Sequence, residues 1–345
     1  MTDHVLTRKA GRAGRITLNR PEALNALSHA MSLAVEAALD AWRDDPEVAL
    51  VVIDAAGDRA FCAGGDLAEI YAAGRRGDFD PPRRFWADEY RMNAKTAAYP
   101  KPYVALARGH VLGGGVGVGL HGSHRILGET SKVAMPECLI GLIPDVGGTH
   151  LLARAPGRLG EYLGLTGQRM GPGEAIHAGF ADAFVPEADW PALIARLEET
   201  GDAGVIADFA EDAPPSTLAP LQAQIDDAFD APDLATLIAR LEPSDWGAKV
   251  AAGLLGQSPL SMACTLALVR AARAEPGLEA ALAREFRFTA RSMDRGDLLE
   301  GIRAQVIDKD RRPQWPDTID SLTAAQAEAM LAPLPRDWPL WGENA

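Results

Sequence analysis

Residues 48–54 read Val-Ala-Leu-Val-Val-Ile-Asp and lead, through a short connection, into Arg59-Ala60-Phe61-Cys62-Ala63-Gly64-Gly65-Asp66-Leu67. The first run is apolar almost throughout and of strand length, as expected for a strand buried on both faces. A second such run is Tyr103-Val104-Ala105-Leu106-Ala107. Upstream, residues 13–18 have strand character. Residues 28–43 place apolar side chains at helical spacing behind Ser28, a residue suited to cap a helix. This alternation of strand and helix predicts an α/β layered core with parallel strands. Further on the rhythm changes. The stretch 200–216 is rich in Gly, Asp and Pro, and beyond it residues 219–229, 233–241, 244–255, 259–273 and 278–293 read as successive helices. Two regions are therefore expected: an α/β core over 1–200 that carries the site, and a mainly α-helical C-terminal region over 201–345.

Bulk properties narrow the function. The 345-residue chain is 47% apolar and 24% charged, ordinary for a globular protein with a large core. Its formal net charge of −14 repels phosphate backbones and anionic lipid, which argues against a nucleic-acid or membrane partner. An anionic small molecule would need a local basic cluster. Residues 74–84 supply a candidate in Arg75, Arg76, Arg83 and Arg84, expected on a loop that either steers phosphates or is simply solvated. Cys62, Cys138 and Cys264 are few, odd in number and without a CxxC pair, so a disulfide framework is not expected. No apolar leader opens the sequence and no stretch approaches a membrane span, so a soluble, cytoplasmic protein is expected. The seven histidines show no metal-ligand spacing, and no metal is expected.

Three segments carry chemistry. The first ends in Gly64-Gly65, where two glycines allow a tight turn and a close ligand approach; a plain strand-to-helix turn has the same composition. The second, residues 109–119, is Gly-His-Val-Leu-Gly-Gly-Gly-Val-Gly-Val-Gly. It lacks the acidic partner of a dinucleotide fingerprint and the Gly-Lys-Ser/Thr of a phosphate loop. What remains is close packing, a backbone N–H offered to an oxyanion, or both. The third, residues 134–148, is Ala-Met-Pro-Glu-Cys-Leu-Ile-Gly-Leu-Ile-Pro-Asp-Val-Gly-Gly. Glu137 and Asp145 stand there in apolar surroundings, where a carboxylate is costly unless paired or functional, and desolvation lifts the pKa toward that of a general base. Asp145 could instead cap a helix beginning near Gly148. A nucleophilic Cys62 or Cys138 is a lesser alternative to inert packing.

In this order the segments, followed by LGLTGQRMGPGEAIHAGFADAFV from Leu163, resemble the enoyl-CoA hydratase/isomerase (crotonase) superfamily over residues 5–190. The resemblance implies a spiral of ββα units, a helical region that forms trimers in the family (homo-oligomer or monomer here), and acyl-CoA thioester substrates. It implies an oxyanion hole made by the N–H groups of Gly65 and Gly114. It implies no cofactor, because CoA arrives with the substrate. Hydratases of the family carry a catalytic glutamate where this chain has Gly117, whereas their second glutamate matches Glu137. The pairing of Met135-Pro136-Glu137 with Pro144-Asp145-Val146-Gly147-Gly148 resembles the 3-hydroxyisobutyryl-CoA hydrolase branch of valine catabolism. So do Glu89-Tyr90-Arg91-Met92-Asn93 and the tail from Glu285-Phe286-Arg287 to Asp310. That branch implies hydrolysis of a short-chain 3-hydroxyacyl-CoA, with Glu137 and Asp145 catalytic and Glu89, Gly114, Glu137 and Asp145 binding substrate. An enoyl-CoA hydratase or isomerase is the alternative activity.

Overall fold

Between residues 50 and 134 the chain repeatedly lays down two strands that enter two different sheets. The computed structural model describes residues 2–335, 338, 340 and 341. A hairpin of β1 (Val5–Ala10) and β2 (Ala13–Leu18) opens the fold, followed by α1 (His29–Trp42), whose first turn is capped by the Ser28 hydroxyl accepting from the Met31 N–H at 3.3 Å. Then come β3 (Leu50–Ala55), β4 (Ala60–Cys62), α2 (Leu67–Arg75), α3 (Asp80–Ala97), β5 (Tyr103–Ala107), β6 (His110–Leu112), α4 (Gly114–Gly119), β7 (His124–Leu127) and β8 (Lys132–Ala134). A 3₁₀ turn, Glu137–Ile140, precedes α5 (Gly148–Arg154), α6 (Leu159–Thr166), α7 (Pro172–His177), β9 (Ala183–Phe184) and α8 (Trp190–Thr200). The chain finishes in helices: α9 (Gln222–Phe229), α10 (Leu234–Leu241), α11 (Asp245–Leu254), α12 (Pro259–Ala274), α13 (Leu278–Thr289), α14 (Leu298–Ile302) and α15 (Ala324–Leu331).

The six-stranded sheet runs β1-β2-β3-β5-β7-β9 and is parallel from β2 onward. The second sheet, β4-β6-β8, is wholly parallel. Odd strands β3, β5 and β7 enter one sheet and even strands β4, β6 and β8 the other, which is the expected ββα spiral. The buried runs sort by period two. Leu50, Val52, Val104 and Leu106 pack with Trp190, Leu193 and Leu197 of α8, while Val51, Ile53, Tyr103 and Ala105 are equally buried.

Two compact units divide the chain, each assembled from separate segments. One contains the chain up to Gly65, Asp88–Ala134 and Arg169–Thr217, and holds every strand of both sheets. The other contains Asp66–Ala87, Met135–Gln168 and the chain from Leu218 onward. These units cut the chain differently from a linear division at residue 200: helices α5 and α6 group with the C-terminal helices. Close approaches explain the grouping. A Cβ at Gly160 of α6 would lie 1.9 Å from the Leu152 carbonyl oxygen of α5, and one at Gly301 of α14 would lie 2.1 Å from the Ile140 oxygen.

The Arg-rich stretch differs from the expected loop. Gly74 and Arg75 end α2, and Asp80 already begins α3. Arg83 is tied down within its own unit: its Nε donates to the Ala290 oxygen at 2.8 Å and its guanidinium lies 3.6 Å from Asp294. Arg75, Arg76 and Arg84 are exposed.

Candidate active site

In the strand-bearing unit, Gly65 follows the C-terminal end of β4 and Gly114 follows that of β6, adjacent parallel strands. Ligands of parallel α/β sheets gather at such ends. Gly64 has φ +107 and Gly113 φ +47, left-handed values that glycine tolerates and that turn the chain sharply before each amide. The two glycines meet. A Cβ built on Gly114 would stand 3.4 Å from the Gly65 nitrogen and 3.0 Å from Glu89 Oε1. Among the described residues, neither the Gly65 nor the Gly114 amide has a hydrogen-bond acceptor. Glu89, from α3, is buried. One helical turn on, Asn93 is fully buried, and neither its Oδ1 nor its Nδ2 has a hydrogen-bond partner among the described residues. Sequence reading gave it no role, because a single Asn on an amphipathic helix has no distinguishing pattern.

The carboxylates lie in the other unit. Glu137 opens the 3₁₀ turn behind Pro136, and Gly141, at φ +72, ends it. That turn is clasped by its own unit: the Ser258 N–H donates to the Cys138 oxygen at 3.0 Å. Glu137 is 5% exposed, and its Oε2 has no hydrogen-bond partner among the described residues. Burial first, then the charges of Asp145 and Glu285, push its pKa well above the ordinary carboxylate value. Asp145 is 4% exposed. The N-cap residue of α5 is Gly147, at φ +80, which offers no side-chain cap of its own.

Another buried carboxylate, Glu285 of α13, binds the start of α5. Its Oε2 accepts from the Gly147 N–H at 2.8 Å and its Oε1 from the Thr149 N–H at 3.0 Å; Oε1 also accepts from the Thr149 hydroxyl. Burial raises its pKa to about 7, against the opposing pull of these hydrogen bonds. No local signal marks Glu285, since its partners lie 136 and 138 residues away in the chain.

The cysteine alternative loses support. Burial pushes both Cys62 and Cys138 up to about 12, and the thiolate is the nucleophilic form. Among the described residues no group of His, Cys, Asp and Glu could hold a metal ion, and no single helix is long and apolar enough to cross a membrane.

Strand spiral, glycine pair and buried carboxylates together define a family: the chain belongs to the enoyl-CoA hydratase/isomerase family, whose sequence profile matches residues 13–331. It is 37% identical over 343 residues to the mitochondrial 3-hydroxyisobutyryl-CoA hydrolase of Xenopus tropicalis, covering 94% of this chain and 89% of that protein. Among solved structures it is similar to one described as an enoyl-CoA hydratase from Rhodobacter sphaeroides 2.4.1 (54% identity, TM-score 0.92, 96% of this chain and 98% of that one). It is also similar to one described as a carnitinyl-CoA dehydratase from Mycobacterium thermoresistibile (40%, TM-score 0.94, 99% and 100%).

Proposed function

We propose that this protein hydrolyses a short-chain 3-hydroxyacyl-CoA thioester, foremost 3-hydroxyisobutyryl-CoA, to the free acid and CoA, a step of valine catabolism. The observation that carries the reading is Glu137: a buried carboxylate with a raised pKa, its Oε2 without a partner among the described residues, and the Asp145 charge near enough to raise that pKa further. The name of the curated Xenopus relative supports it.

The chemistry follows from the residues. The N–H groups of Gly65 and Gly114 receive the thioester oxygen as its carbon becomes tetrahedral, each such donor lowering the barrier by roughly 3–4 kcal/mol. Ionised Glu137 takes a proton from water while the water oxygen bonds to the acyl carbon. The C–S bond then breaks, and the CoA thiolate leaves and is protonated. Alternatively the Glu137 carboxylate attacks the acyl carbon, the C–S bond breaks as the CoA thiolate leaves and is protonated, and water opens the resulting mixed anhydride to the free acid and Glu137. Asp145 orients the water or binds the 3-hydroxyl, and Glu89 contacts the acyl group. No cofactor is required. Three buried, unpaired thiols are consistent with a reducing, cytoplasmic setting.

The names of the two solved structures favour a second reading, enoyl-CoA hydration. Against it stands Gly117, buried within α4, which brings no carboxylate to the position where hydratases carry their first glutamate. A thiol-release assay over a panel of acyl-CoA esters separates the two. Hydrolysis frees thiol from 3-hydroxyisobutyryl-CoA; hydration consumes enoyl-thioester absorbance with no thiol freed, and that outcome would sink the proposal. Single turnover in ¹⁸O-water distinguishes the routes, because only the anhydride route leaves label in Glu137.

A further inference from the structure

Between Asp145 and helix α5 the backbone takes an unfavourable path. Val146 has φ +52, a left-handed value that a β-branched side chain rarely adopts, and Gly147 follows at φ +80. Such a conformation persists only where surrounding contacts over-determine it. One buried side chain supplies several of those contacts. Glu285 accepts the N–H of Gly147, immediately after the strained residue, and the N–H and hydroxyl of Thr149 one residue beyond Gly148. The clasp is fully buried, with Glu285 0% and Thr149 1% exposed, so water offers no substitute acceptor. The turn is also short: the Gly148 N–H reaches back to the Asp145 oxygen at 2.6 Å, so the Asp145 backbone is part of the turn that Glu285 holds.

We propose that Glu285 is a positioning residue for Asp145: it holds the strained Val146–Gly147 turn and thereby fixes where the Asp145 carboxylate points during thioester hydrolysis. The inference rests on the hydrolase reading given above. Glu285 itself touches no reacting atom. Its two oxygens fit the task because they accept three donors from two residues, and only a carboxylate supplies acceptors on both sides of its fork. Gln keeps one acceptor oxygen, so at least one of the two amides loses its partner. Asp lacks the reach of the longer side chain.

The test is a double-mutant cycle in the full chain, read by thiol release and by amide hydrogen exchange. Alone, Glu285→Gln should lower kcat by about 10²-fold, the scale of a misplaced catalytic group, and leave KM within about threefold. In an Asp145→Asn background it should cost little further, because the group it positions is already gone. Equal losses in both backgrounds would show a general structural role and overturn the proposal. Exchange at Gly147 or Thr149 should quicken by about tenfold in Glu285→Gln, the scale of one lost buried hydrogen bond. Unchanged exchange at both overturns the clasp whatever the turnover does. If Glu285→Gln does not fold, Thr149→Val removes one donor only; a several-fold loss of kcat that vanishes on Asp145→Asn supports the proposal, and no loss overturns it. If the wild type frees thiol from no ester, the hydrolase reading falls and the positioning role with it, while the exchange data still decide the clasp.

Discussion

Glu137 carries a carboxylate where water is nearly excluded, and its pKa direction follows from burial before any neighbour is counted. Its removal should be decisive. Glu137→Gln keeps shape and volume, so the fold and CoA-ester binding should persist while thiol release falls by several powers of ten; near-normal turnover would refute the assignment. Acid should act through the same group. In the proposed mechanism the ionised form is the reactive one, so kcat/KM should fall with acidity at a midpoint above the ordinary carboxylate value of 4.5. A flat pH–rate profile from pH 4 upward would contradict this. At this scale the sequence said a good deal. Glu137 and Asp145 stood out because charges in an apolar, Pro- and Gly-punctuated stretch need a reason. Glu285 did not, because its reason lies in Gly147 and Thr149, distant in the chain.

Among the elements, α4 shows how one glycine run can serve two ends. A Cβ at Gly115 would meet the Cys62 backbone oxygen at 2.3 Å, a contact that no rotamer relieves. Gly115→Ala should therefore destabilise the fold by about 1–3 kcal/mol or more, read as a lower melting temperature. At Gly114 the nearest atom is Glu89 Oε1 at 3.0 Å, the far end of a side chain that can shift. Gly114→Ala should fold with little change in melting temperature and yet lose at least about tenfold in thiol release, because it crowds the Gly65 amide. Equal melting losses in the two variants would contradict this division. Pattern alone left the run open between packing and an amide site. The structure gives Gly115 to packing and brings Gly114 to Gly65 and Glu89.

Taken as a whole molecule, the described residues hold three buried carboxylates, Glu137, Glu285 and Asp297, with pKa values above the ordinary range. Raised values mean that burial costs the charged forms more than their hydrogen bonds return, although ionised Glu285 is the form that makes the full clasp. For Glu285 the contribution of the protonated form is complete below pH 4.5 and is lost as pH rises toward the folded value, about 7. A displacement of that size is worth roughly 3 kcal/mol as an upper bound. The stability advantage of wild type over Glu285→Gln should therefore shrink between pH 4.5 and 8 in urea titrations; an advantage that grows over that window would contradict the sign. The sequence by itself determined a layered core with parallel strands, because a run of Val, Ile and Leu of strand length has one economical burial, between two layers; the spiral was implied by the family resemblance. The sequence also determined the order of the glycine and carboxylate segments, because local backbone and solvation chemistry restrict which residues can stand there. Only the tertiary structure decided that the compact units interleave along the chain, and that Glu285 binds the turn after Asp145. Those are long-range pairings, and hydrogen bonds between residues more than a hundred positions apart leave no period or motif in the chain that makes them.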